Sequence, residues 1–165
     1  MPPLPSEQLK QPIYISECGL RIREWRGTVM NAERLSRVKK LCTLAVNKFY
    51  PFAQLMGLQI HNESKFSFDI AFIPDNSDYR GINDTKYRFF YRSSKNVWGY
   101  TSRTNQFIFT ISSVLISEMS FVLPHEMFHA LSMHHGIFDA HSDDIEDCIK
   151  IDEQYALAFE KYVRQ

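Results

Sequence analysis

The stretch "LPHEMFHALSMHHGIFDAH", Leu123 to His141, holds five of the six histidines of the chain, and how it folds decides how the rest is read. Ala130, Leu131 and Met133 are strong helix formers, and with Phe128 they predict a helix through the middle of the stretch. Gly136 is a natural residue to close it, because glycine accepts the left-handed conformation at a helix C-terminus. On that helix His125 and His129 stand four residues apart, about 40° in projection, and leave the same face.

His125, Glu126 and His129 spell H-E-x-x-H. Two imidazole nitrogens on one rigid element can grip a tetrahedral zinc ion at about 2.0–2.1 Å. Glu126 stands one residue round the helix, beside the metal, placed to take a proton from zinc-bound water rather than to ligate. Zinc lowers the pKa of that water to about 7 and polarises a carbonyl, as amide hydrolysis requires. The plain alternative is a helix with two histidines at its surface or core edge.

The motif follows the strand-like "NQFIFTISS". In this setting it resembles a minimal zincin metallopeptidase over roughly residues 66–162. The resemblance implies an α+β domain: a small mixed sheet with a backing helix, an HExxH active-site helix and a C-terminal helix. It also implies Zn2+ as cofactor, Glu126 as catalytic base, and a protein or peptide substrate extended along a sheet edge. The function so implied is a zinc-dependent endopeptidase, a hydrolase acting through a Glu126-activated, zinc-bound water.

A catalytic zinc takes three protein ligands and keeps one position open. Two candidates can join His125 and His129. "HEMFHALSMHH" is similar to the metzincin pattern H-E-x-x-H-x-x-G-x-x-H, with His135 in third place, but Ser132 replaces the glycine and no methionine follows Met133. If the helix runs on, His135 lies about 120° away from His129. The preferred candidate is Glu153, in "IDEQYALAFEKY", because gluzincins carry a glutamate on a helix downstream of the motif. Glu153-Gln154-Tyr155-Ala156 is similar to the E-x-x-A of one branch, with Leu157 where aspartate is common. Ala156 and Ala158 would let this last helix approach closely. Glu146 is a weaker third ligand, and His134 should point to solvent.

His141, Tyr155 and Tyr100 are the guesses for an oxyanion partner. Asp139, Asp143, Asp144 and Asp147 lack the regular spacing and turn glycine of a calcium loop and read as acidic surface. Two other functions are open. A zincin-fold binding or regulatory module would keep the zinc for structure, or hold none. A metal-dependent endoribonuclease would use His125, His129 and His135, whose spacing is similar to a ribosome-maturation family, although Glu126 and Ser132 stand where that family has glycines.

Composition sets the outer bounds. The 165 residues suit one domain, expected over 13–165 behind a loose proline-rich tail at 1–12. Lys plus Arg equal Asp plus Glu at 19 each, so net charge indicates neither nucleic acid nor membrane as partner. Basic side chains nevertheless gather in residues 1–50 and acidic ones in 137–165, as two solvated faces would. Three cysteines with no close pair, no signal peptide and no apolar span suggest a cytoplasmic protein.

The remaining elements follow from periodicity. "IYISECGLRIREW" predicts a strand or hairpin, and apolar residues from Leu35 to Phe49 recur at helical spacing. Pro51 should kink or end that helix, with Gly57 closing the segment. "KFSFDIAFIP", "YRFFYR", "NVWGYT" and "NQFIFTI" predict strands, "DNSDYRGIND" turns, and 148–162 a last helix.

Overall fold

The computed structural model describes residues 9–73, 89–92, 97–102, 107–111, 114–138 and 145–165. Its first long helix, α1 (Ala32–Leu55), begins where the Asn31 side chain accepts a hydrogen bond from the Arg34 amide, 2.8 Å. That contact satisfies one of the donors left unpaired at a helix start. Pro51, expected to kink or end this helix, lies within α1, so the helix does not end there. A proline removes one donor, and the packing of Phe49, Phe52 and Ala53, all buried, carries the segment past it. Gly57, at φ +68°, ends the helix: its amide bonds Gln54 and that of Leu58 bonds Ala53, closing the last carbonyls.

Among the described residues, six strands form one mixed sheet: β1 (Tyr14–Ile15), β2 (Leu20–Glu24), β3 (Phe68–Ile73), β4 (Phe89–Arg92), β5 (Val97–Ser102) and β6 (Phe107–Ile111), in the order β1-β2-β3-β6-β5-β4. β2, β3 and β6 run parallel, with α1 connecting the first two, while β5 and β4 are antiparallel additions. Leu20, Ile22, Ile70 and Ile108 bury one face of the centre. Arg21 sits opposite Asp69 in register. Its Nε and Nη2 donate to the two Asp69 oxygens at 3.0 and 2.9 Å, and Arg23 Nε adds a third bond at 2.6 Å. This fork geometry fixes the β2–β3 register. The tail is tied at its end, where Leu9 bridges to Trp25 and the Lys10 amide bonds Glu24.

Helix α2 (Ile116–His134) carries the H-E-x-x-H motif and packs on β4, β5 and β6. Helix α3 (Ile145–Val163) lies against α2, as does α1. The three helices meet through Phe49 and Phe52 of α1, Phe128 of α2 and Phe159 of α3, all without exposed surface, with ring centroids 5.2–6.1 Å apart. Phe128 therefore anchors the motif helix from behind while His125 and His129 face α3. The expected α+β arrangement, a small mixed sheet with a backing helix, a motif helix and a last helix, is present. No helix among the described residues is long and apolar enough to cross a membrane. The turn-rich segment at 75–84 lies outside the described residues.

Gly19 and Gly27 adopt nearly equal positive φ, +92° and +88°, but only Gly19 is crowded. A Cβ there would stand 1.7 Å from the Phe66 carbonyl oxygen, whereas one at Gly27 meets nothing within 4 Å. Gly27→Ala should cost about 1–2 kcal/mol from the backbone conformation alone. Gly19→Ala should be at least about 2 kcal/mol worse, because backbone must move. Urea unfolding of the two variants checks this, and equal midpoints would contradict it.

Candidate metal centre

His125, His129 and Glu153 come together between α2 and α3, with one potential ligand atom from each within 4.8 Å of the others. The two Nε2 atoms are 3.2 Å apart. Glu153 spans them, Oε1 lying 2.8 Å from His125 Nε2 and Oε2 2.9 Å from His129 Nε2. The sequence had favoured this third partner. The two imidazoles are buried, and the Glu153 side chain, 37% exposed, forms the face open to solvent.

Behind each imidazole stands a carboxylate. His125 Nδ1 is 2.6 Å from Glu160 Oε2, and His129 Nδ1 is 3.2 Å from Asp152 Oδ1. A carboxylate accepts, so each Nδ1 donates to its carboxylate, and a ring that gave up its second proton would turn an Nε2 lone pair inward. Two lone pairs and a carboxylate would then converge on one point, which is stable only around a cation. A tetrahedral zinc with bonds of about 2.0–2.1 Å separates its ligand atoms by roughly 3.3 Å. The observed 2.8–3.2 Å spacing needs to open by only a few tenths of an ångström. The donor set, two imidazoles and one carboxylate, each imidazole backed by a carboxylate, fits a zinc ion.

The protein alone meets that demand with protons. Burial pulls the His125 pKa down, but the bonds to Glu153 and Glu160 outweigh it and lift it to about 9. At His129 burial is likewise overcome, by Asp152 and Glu153, to about 10. Burial would raise Glu153, yet the two imidazoles bring it to about 2. A metal ion must displace those protons, so its uptake is coupled to pH.

Asp152, Ala156 and Glu160 follow one another at four-residue spacing and are all buried, giving α3 an acid-small-acid stripe against α2. Ala156 has no exposed surface and allows the close approach. Asp152 is held in turn by Ser132, whose hydroxyl lies 2.8 and 3.0 Å from its two oxygens. The residue that departs from the metzincin glycine thus has its own task. Asp152, Glu160 and Ser132 escaped the sequence reading. Their signal was the stripe itself, visible once Glu153 is placed.

His135 is not part of this centre. α2 continues through Ser132 to His134 and ends with His135 as its cap and Gly136 at φ +65°. The Gly136 and Ile137 amides bond the Met133 and Ser132 carbonyls, the closure expected at this glycine. His135 consequently turns to α1. Its Nε2 is 3.0 Å from the Tyr50 hydroxyl, its Nδ1 is 2.7 Å from the Asn62 carbonyl, and its ring stacks on Phe49. The set His125, His129 and His135 does not converge. His134 is half-buried rather than pointing to solvent, bonding the Ser64 carbonyl at 2.8 Å. Tyr155 stacks on Phe138 and, two residues beyond Glu153, leaves α3 on another side. His141, Asp139, Asp143 and Asp144 lie outside the described residues, as do the side chains of Tyr100, Glu146 and Asp147.

Glu126 is fully buried beside the two histidines. Its Oε2 accepts a hydrogen bond from the Thr101 hydroxyl of β5, and its Oε1 has no hydrogen-bond partner among the described residues. Burial raises its pKa to about 7, against the lowering pull of His129, His125 and Thr101. Comparison with protein-family models, curated proteins and solved structures finds no match to this chain.

Two outcomes follow. Glu160→Gln and Asp152→Asn should each weaken zinc affinity about 10–100-fold, read by competition with a chromophoric chelator; unchanged affinity would refute the backing role. His135 has a lowered pKa, because burial disfavours its charge. Its contribution to stability is therefore complete above the unfolded value, about 6.5, and is lost as pH falls through the folded one. His135→Gln should lose less stability than the parent between pH 7 and 5. Parallel melting-temperature curves would contradict this.

Proposed function

We propose that the chain is a zinc-dependent endopeptidase of zincin type. One observation carries the reading: two imidazoles and a carboxylate converge from two helices beside a buried glutamate with one bare oxygen. His125, His129 and Glu153 would hold the zinc ion. Bound there, it would supply a Lewis acid that acidifies water and polarises a peptide carbonyl.

The protein groups divide the remaining work. Glu126 Oε1 accepts a proton from the attacking water as the new C–O bond forms. It then delivers that proton to the leaving nitrogen as the C–N bond breaks, so proton and charge balance. Glu160 and Asp152 hold the imidazoles in one tautomer and orientation. Burial on α2 keeps bulk water from Glu126. β4 pairs with β5 alone among the described strands, and an edge strand of this kind suits an extended peptide. No nucleic acid or membrane is required.

Protein purified without chelators should contain about one zinc ion per chain. Glu126→Gln should keep the metal and the fold and lose about 10²–10⁴-fold in peptide hydrolysis, measured on a peptide library read by mass spectrometry. Glu153→Ala should lose the metal. An active Glu126→Gln protein, or a chain that retains no zinc, would overturn the proposal.

A further inference from the structure

Thr101 touches residue 126 twice. Its hydroxyl donates to Glu126 Oε2 and lies 3.1 Å from the Glu126 backbone carbonyl. It thereby references the carboxylate to the backbone of its own helix. Thr101 has no exposed surface, and its strand position is fixed on both sides, opposite Ile108 of β6 and Phe89 of β4. A β-branched side chain in a strand has a restricted χ1, so the hydroxyl is aimed by the sheet.

The two Glu126 oxygens are unequal as a result. Oε2 is tied to Thr101, and Oε1 is buried with no hydrogen-bond partner among the described residues. A buried oxygen left without a partner is costly. Were the carboxylate free to rotate, either oxygen could take either place, and hydrolysis would depend on a fluctuating distance. Misplacing a reacting group by about 1 Å costs on the order of 10²-fold in rate.

We infer that Thr101 is a positioning residue for Glu126: by holding Oε2 against β5 it presents Oε1 as the one oxygen that exchanges protons with water and leaving group. The inference rests on the peptidase reading. It assigns to the sheet a part in the reaction beyond presenting an edge to substrate. Both side-chain hydrogen bonds described for Thr101 go to Glu126, so its removal should leave zinc binding intact.

Two measurements test it on the full zinc-loaded chain. The first is a double-mutant cycle of Thr101→Val and Glu126→Leu read by urea unfolding, which does not depend on activity. The hydroxyl–carboxylate contact predicts coupling of about fivefold or more in the unfolding constant; additive effects overturn the inference. The second is peptide hydrolysis. Thr101→Val should lower kcat by about 10–100-fold with KM within about threefold and zinc content unchanged, and Thr101→Ser should recover most of the loss. Coupling with an unchanged kcat in Thr101→Val would make the hydroxyl a structural group only and overturn its role in the reaction. A parent chain that binds zinc and cleaves no peptide would instead remove the peptidase reading, leaving the measured coupling as a separate result.

Discussion

Four carboxylates, those of Glu126, Asp152, Glu153 and Glu160, surround two imidazoles in the seam between α2 and α3. Three of the four are buried, where like charges repel far more strongly than in water. Arg164, 3.7 Å from Glu160 and stacked 4.2 Å over Phe121, offsets one of them. The rest depend on positive charge placed among the imidazole nitrogens. That demand links the helix packing to the chemistry: α3 can sit this close to α2 only if the ring nitrogens bind protons or a metal.

The frame was legible because its signals are local. Gly57 and Gly136 mark helix ends through their own backbone preferences, and alternation or helical spacing of apolar residues marked the strands and helices. Pro51 left a kink or an end open, because the one hydrogen bond it loses does not decide between them; Phe49, Phe52 and Ala53 bury enough apolar surface to carry the helix through it. H-E-x-x-H was legible for the same local reason, since one turn of helix sets the relation of its two rings.

The surroundings of the motif were not legible, because they depend on residues brought together by the fold. Thr101 is 25 positions from Glu126, and Glu160 is 35 from His125. Asp152 and Glu160 belong to the acidic final segment, which apart from Glu153 read as a solvated face; in the fold both are buried. Charge counts cannot tell an acid that faces water from one that faces an imidazole. The small Ala156 between Asp152 and Glu160 was the available clue.

Glu153 and both backing acids arrive on an element made after the histidine helix. A ribosome that has released α2 but not α3 therefore exposes two histidines with neither their third partner nor their supports. The metal-binding triad is therefore completed by the docking of α3 on α2 and not by the motif helix alone.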